Sequence, residues 1–336
     1  MSAEEAAAAF DVAGSVISVQ PHPTGHINDA YLVTTGGGRY LLQRLNPAVF
    51  ADPDAVMANV VAVTDHLRQN EEPTLTLVPA AGGGPSWREG DAIWRMYEYL
   101  ERSYPLAVRS VADAALVGRA FGRFHRALAD LAPAHLRVSL PGFHDPARRM
   151  AQLEAAVAAD PCDRLREVCG LVDAMRTLRH TIAADSALDG MPVRIAHNDA
   201  KAANLLVDDA GERHPVVVDL DTVMPGSVLW DIGDMIRSCT GTAEEATATV
   251  TFDVDRYHAL VDGWLDEIGD LLTERERGAV AKAGLVVTLE QAVRFLTDHL
   301  QGDVYFRVTR PGENLDRAAN QLELLRSMMS TLESRP

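Results

Sequence analysis

Residues 195–206 read IAHNDAKAANLL, and residues 216–223 read VVVDLDTV. The first stretch places an acid, Asp199, five positions before an amide, Asn204, with Lys201 between them. The second has the apolar pattern of a buried strand and carries two acids, Asp219 and Asp221. The lysine stands out because, of 31 lysines and arginines, only Lys201 and Lys282 are lysines. Each piece alone reads as a cap, a turn or an ordinary strand end. What precedes them decides the reading.

The N-terminal part is strand-rich. VISVQP (16–21), AYLVTT (30–35) and RYLLQRL (39–45) predict three successive antiparallel strands, the last two joined by a turn at Gly36-Gly37-Gly38. Residues 53–69 have helical periodicity, with Pro53 suited to the first turn and Asp52 placed to cap it. TLTLVPA (74–80) and DAIWRMYEYL (91–100) complete an expected five-stranded sheet with one inserted helix. Beyond ERSYP (101–105) helical patterns dominate: 110–130, 146–185, 230–239, 255–269, 273–300 and 313–332, with a short β island over 193–221. The boundary falls near 97–104, giving 1–101 and 102–336 as two lobes.

A five-stranded lobe followed by Asp-x-Lys-x-x-Asn and an acid-bearing strand has the layout of a kinase catalytic region. Asp199 is placed to accept the proton of an attacking hydroxyl, and Lys201 to offset charge on a transferred phosphoryl group. Asn204 and Asp219 are oxygen donors suited to Mg²⁺. Asp221, two residues on, would share Asp219's side of a strand. It is open between a second metal or the acceptor on one hand and local backbone N–H groups on the other. Asp231, opening the WDIGDMIR helix, reads as a brace for the catalytic loop, and His197 as an orienting group rather than the base. Asp234 and Arg237 read as a solvated surface pair.

IAHNDAKAANLL, VVDLDTVMPG, LWDIGDMIRS and RFLTDHLQGDVYFRV resemble the N-acetylhexosamine 1-kinases, within the aminoglycoside phosphotransferase-like small-molecule kinases. PTGHINDAYLV (23–33) is similar to that family's nucleotide loop, and the likeness runs from about residue 15 to about residue 325. The resemblance implies an α+β, bilobal protein-kinase-like fold: a five-stranded antiparallel N-terminal lobe that binds nucleotide, and a mostly helical lobe with the catalytic loop and acceptor site. It implies ATP and Mg²⁺ as cofactors, Asp199 as base, and Asn204 and Asp219 on the metal. It maps the sugar site onto Arg294, Tyr305 and His26.

For the nucleotide the candidates are Gly25 in the loop between the first two strands, and Met96-Tyr97-Glu98, whose backbone lies where kinases pair with adenine. No lysine precedes Lys201, so the strand lysine of kinases is missing. Gln43 and Arg44 are the groups available on the third strand, and alternation lets only one face the nucleotide. Arg44 is the expectation because it carries charge. Its usual acidic partner is not evident either, since Asp54 and Asp65 are the only acids inside the helix.

The formal charge of −17 argues against nucleic acid and anionic membranes as partners. Protein partners are left open. Three cysteines form neither a zinc pattern nor an even disulfide set, which suits a reducing, cytoplasmic setting. The function expected is a Mg·ATP-dependent kinase acting on the anomeric hydroxyl of an N-acetylhexosamine or related hexose. The alternatives are a kinase of another small alcohol (aminoglycoside, choline or homoserine) and a non-catalytic kinase-fold binding module. A protein kinase is disfavoured, since little chain separates VVDLD from WDIGD and no activation segment is evident.

Overall fold

In this computed structural model, residues 2–22, 27–208, 211, 214–243, 245–247 and 249–333 are described. Gly25 and His26 lie outside them. In chain order the elements begin α1 (Ala3–Ala7), β1 (Val16–Pro21), β2 (Asp29–Thr35), β3 (Arg39–Arg44), α2 (Pro53–Gln69), β4 (Trp87–Glu89), β5 (Ala92–Glu98) and β6 (Ser103–Pro105). There follow α3 (Val111–Ala127), α4 (Pro146–Ala159), α5 (Leu165–Thr181), β7 (Arg194–Ala196), β8 (Leu205–Asp208), β9 (Val216–Val217) and β10 (Met224–Gly226). The chain closes with α6 (Val228–Cys239), α7 (Val254–Ile268), α8 (Glu274–Gly278), α9 (Val280–Gln301) and α10 (Glu313–Glu333).

The chain forms two compact units. The first comprises residues 1–105 with two later stretches, 127–141 and 205–225; the second comprises 106–126, 142–204 and 226–336. The loop of 197–204 therefore belongs to the second unit, and the acids of VVVDLD to the first.

The first unit carries an antiparallel five-stranded sheet of order β1-β2-β3-β5-β4. Its inner face packs Val33, Tyr40, Leu42, Trp94 and Met96 against Phe10 and the alanines of α1. The β2–β3 turn is tied by Thr35, whose hydroxyl accepts the N–H groups of Gly37 and Gly38 at 3.1 Å each. A Cβ on Gly37 would press on Ala13 at 2.5–2.9 Å, so the close approach there requires glycine. Asp52 caps α2, accepting from the N–H of Ala55 at 3.0 Å, with Pro53 in the first turn.

The fifth strand is not the one expected. TLTLVPA makes only isolated bridges, Ala80 with Phe10 and Leu77 with Tyr97, the latter flanked by Val78 N–H to Met96 carbonyl and Glu98 N–H to Thr76 carbonyl. Pro73 and Pro79 carry no donor on either side of it, so the ladder cannot extend. The strand that completes the sheet is Trp87–Glu89, within a stretch that reads as a turn. It returns to β5 through Gly90, whose φ of +57° suits a tight hairpin.

The second unit is helical. α9 runs through its middle, packed by α4, α5, α6 and α10. α6 and α9 approach closely because each places a glycine at the crossing: a Cβ on Gly233 would meet the Ala283 carbonyl at 2.7 Å, and one on Gly284 would meet the Ile236 side chain at 2.8 Å. The span 146–185, which reads as one helical region, is two helices. Asp160 takes a left-handed φ of +35°, and Pro161 after it disfavours helical geometry at the preceding residue.

Candidate active site

The 197–204 loop of the second unit is fixed by buried acids and imidazoles. Asp231 has no exposure and sits in the first turn of α6. Its carboxylate accepts the backbone N–H of His197 at 2.7 Å and that of Asn198 at 2.6 Å. Its third partner is His125 Nε2 at 2.7 Å. The indole N–H of Trp264 donates to His125 Nδ1 at 3.1 Å, so Nε2 holds the imidazole proton that Asp231 accepts. Burial pushes the Asp231 carboxyl up, but the His125 hydrogen bond and the backbone donors outweigh it and hold the group ionised below its usual range. The expected brace is thus in place. Asn198, held between these contacts, has a φ of +64°, uncommon for a side-chain-bearing residue.

His197 is fully buried among Phe121 and Phe124, and its Nδ1 accepts the Asp199 N–H at 3.3 Å. It orients the loop. Asp199 keeps 28 % side-chain exposure and pairs with the Lys201 ammonium at 2.6 Å. Asn204 donates to both the backbone carbonyl and the carboxylate of Asp199, at 2.8 Å each. Its amide nitrogen is therefore committed inward, and Oδ1 is the atom left to serve a hard cation such as Mg²⁺. Burial pushes the Asp199 carboxyl up, yet Lys201, His197 and the Asn204 hydrogen bond together hold it well below the usual carboxylate range. Asp199 is an anion at any working pH.

The acids of the first unit are arranged differently from the strand pattern. β9 ends at Val217, Asp219 is left-handed at φ +61°, and Leu220–Thr222 makes a 3₁₀ turn. The alternation that would align Asp219 with Asp221 does not apply. Asp221 is 2 % exposed and is held by side chains rather than backbone. One of its oxygens accepts from Asn28 Nδ2 at 2.6 Å, and the other pairs with Arg95.

Arg95 is the group that sequence reasoning missed. It lies on β5, directly across the ladder from Gln43 of β3, whose amide oxygen accepts from its Nε and Nη2 at 3.0 and 2.8 Å. It is 1 % exposed. Burial opposes its charge, but Asp221, Tyr97 and Asp219 favour it more strongly. Arg44 is exposed on the other side of the strand, its guanidinium 6.0 Å from the Trp94 ring. The cation sought on the third strand is matched by one on its neighbour. Its signal was the register partner of Gln43, which strand reading alone does not supply. Met96 and Tyr97 are buried and Glu98 is exposed.

In the second unit, Arg294 on α9 lies among three aromatic rings: Phe143 at 5.3 Å, Phe306 at 5.4 Å and Tyr305 at 5.8 Å. Tyr305 reaches it because Asp298, one turn further along α9, accepts the N–H groups of Val304 (2.9 Å), Tyr305 (2.8 Å) and Phe306 (2.9 Å). Asn314 Nδ2 adds a fourth donor at 2.9 Å. Asp298 was unrecognised from sequence, where it is one acid in DHLQGDVYF. Asp234 and Arg237, expected at the surface, are instead buried, joined at 2.7 Å, with Glu245 closing the ion pair on Arg237 at 2.7 Å.

A loop with a pinned aspartate, a lysine and an inward-turned asparagine is the equipment of phosphoryl transfer, and family comparison agrees. Residues 18–264 match the APH phosphotransferase enzyme family. The chain belongs to that family. It is a phosphotransferase with the expected α+β, protein-kinase-like fold. Among solved structures it is similar to an aminoglycoside phosphotransferase from Alicyclobacillus acidocaldarius subsp. acidocaldarius DSM 446, at 16 % identity and TM-score 0.66, covering 99 % of this chain and 97 % of that one. A microcompartment-associated aminopropanol kinase matches at 16 % identity and TM-score 0.63, over 98 % and 97 % of the two chains. Choline kinase from Cryptosporidium parvum Iowa II matches at 14 % identity and TM-score 0.60, over 97 % and 92 %. Among the described residues of this phosphotransferase, no helix is long and apolar enough to cross a membrane.

Proposed function

We propose that this phosphotransferase uses Mg·ATP to phosphorylate the anomeric hydroxyl of an N-acetylhexosamine or a related hexose. The observation that carries the acceptor class is Arg294. A quaternary or primary ammonium is bound by aromatic faces and carboxylates. Here the aromatic faces of Phe143, Tyr305 and Phe306 already surround a guanidinium belonging to the protein. A fork of N–H donors backed by rings suits a neutral, oxygen-rich acceptor: donors for a ring hydroxyl or acyl oxygen, and an aromatic face for the sugar's apolar side.

The chemistry follows from the loop. Asp199 holds the acceptor hydroxyl and takes its proton. Its depressed pKa makes it a weak base, which is tolerable because phosphoryl transfer has a loose transition state and rewards positioning over base strength. An anomeric hydroxyl, more acidic than an ordinary alcohol, asks less of the base. Lys201 offsets charge on the group in transit. Asn204 and Asp219 would hold Mg²⁺, which when bound would neutralise charge on the nucleotide's phosphates. Arg95, beside Gln43, supplies the phosphate-facing charge that a strand lysine usually gives. Arg44→Ala should then leave the KM for ATP close to wild type.

The net charge of −17 favours a second reading, a kinase of a cationic alcohol such as choline, an aminopropanol or an aminoglycoside. One panel separates the two. Sugars and amino alcohols are offered with Mg·ATP, ADP release is followed, and the product is identified by NMR. N-Acetylglucosamine or N-acetylgalactosamine should give a 1-phosphate, and the methyl glycoside should be inert. Turnover only of choline or an aminoglycoside, or phosphorylation of the methyl glycoside, overturns the sugar reading. A total lack of transfer to any alcohol would favour a binding module.

A further inference from the structure

A second imidazole–carboxylate pair grips the catalytic loop, at the Asn198 carbonyl. His144, in the turn before α4, places Nε2 2.9 Å from the Asn198 carbonyl and Nδ1 3.3 Å from Glu290 of α9. Its ring stacks on Trp230 of α6, with centroids 5.0 Å apart and planes at 9°. Both His144 and Glu290 are buried, their side chains 7 % and 2 % exposed. Arg149 of α4 lies 3.6 Å from the second Glu290 oxygen. A carbonyl and a carboxylate are both acceptors, so an imidazole that serves both must carry a proton on each nitrogen. Burial disfavours that cation, but Glu290, and more distantly Asp234, outweigh the penalty and raise its pKa above 6.5.

We propose that His144 and Glu290 are positioning residues for Asp199, and that they tie the base to the acceptor-binding stretch of α9. The peptide groups on both sides of Asn198 are held: its N–H by Asp231 and its carbonyl by His144. That leaves the next residue, Asp199, little freedom of direction. Glu290 and Arg294 stand one helical turn apart on α9, and the Arg294 guanidinium lies over the ring of Phe143, the residue before His144. A group bound at Arg294 therefore presses on the same short segment that aims the base.

The inference rests on the proposed roles of Asp199 as base and of Arg294 in the acceptor site, and not on which alcohol is the acceptor. The test uses whichever alcohol the enzyme turns over best. Glu290→Gln, His144→Gln, His144→Ala and the Glu290→Gln/His144→Ala pair are made in wild-type and Asp199→Asn backgrounds. In wild type, Glu290→Gln and His144→Ala should each lower kcat by roughly tenfold to a hundredfold, the cost of a misplacement near 1 Å, with the KM for ATP little changed. The pair should lose no more than the worse single variant, and in the Asp199→Asn background neither change should reduce the residual rate further. Unchanged kcat in both single variants, multiplying losses in the pair, or an undiminished loss in the Asp199→Asn background would each overturn the proposal. If His144→Ala fails to fold, the isosteric Glu290→Gln and the conservative His144→Gln decide. Wild-type turnover by Asp199→Asn alone would instead show that the base assignment had failed.

Discussion

Asp199 tests the mechanism most directly. A positioned base typically contributes ~10²–10⁴-fold, so Asp199→Asn should lose kcat on that scale while ATP binds nearly as before. Near-normal turnover would remove Asp199 from the role. Its depressed pKa adds a sign. A carboxylate whose folded pKa is lowered contributes stability above its unfolded value and loses it only as pH falls through the folded one. Any acid limb of the rate profile near neutrality therefore belongs to another group. Arg95 poses a harder question, because the buried guanidinium proposed to serve the phosphates also balances Asp221. Arg95→Met should raise the KM for ATP and also destabilise the fold by roughly 3–5 kcal/mol, since Asp221 would be left buried without its counter-charge. Adding Gln43→Lys returns a cation to the register partner and should recover part of both losses. If Arg95→Met kept its affinity for ATP and lost only stability, Arg95 would be a counter-ion and nothing more. The mutual contacts of Asp199, Lys201 and Asn204 were legible in the sequence because the three fall within one local motif, and Asp231 was legible as an acid in the first turn of a helix. Arg95, His144 and Glu290 were not, since each gains its meaning from a partner many residues away.

At the level of elements, periodicity located the long helices to within a few residues, and Asp52 was a correct cap. It failed where one residue decides. Pro161 divides a helical span, and prolines flanking 74–78 leave a bridge where a strand was expected. The turn glycine at 90 makes a strand of Trp87–Glu89. The segment 302–306 shows how an element end can set specificity. α9 closes on Gly302 at φ +98°, the chain turns back, and Asp298 collects three successive N–H groups that no helix or strand satisfies. Tyr305 beside Arg294 is the outcome. Asp298→Ala removes the acceptor for these donors and for the buried Asn314, and should cost roughly 1–3 kcal/mol in urea unfolding, the cost of about one donor left buried, since Val304 and Tyr305 are exposed. The same variant, like Arg294→Ala and Tyr305→Ala, should raise the KM for the acceptor while leaving that for ATP near wild type. An unchanged urea midpoint would mean that the loop keeps its shape without Asp298.

The whole molecule carries 48 acidic and 31 basic residues, a net −17, and yet it must bind an anionic nucleotide. Its overall field opposes the approach of the anionic nucleotide, so attraction would have to come from local cations, for which Arg95 and Lys201 are the proposed groups. Long-range repulsion is screened over a Debye length of about 10 Å at 0.1 M salt, whereas contacts within the site are screened far less. The value of kcat/KM for ATP should therefore rise, not fall, as an inert salt is raised from low to physiological concentration. For the acceptor the same titration separates the two substrate classes. A neutral sugar feels no net field, so its kcat/KM should stay flat across the series. A cationic alcohol would be drawn in by the acidic surface, and its kcat/KM should drop steeply as screening removes that steering. Stopped-rate assays at saturating co-substrate, run from about 10 mM to about 200 mM potassium chloride, make the measurement at constant free Mg²⁺. A flat acceptor profile with a rising ATP profile is the expected result. An acceptor profile that falls with salt would place the surface charge in the service of a cation and assign Arg294 to packing rather than recognition.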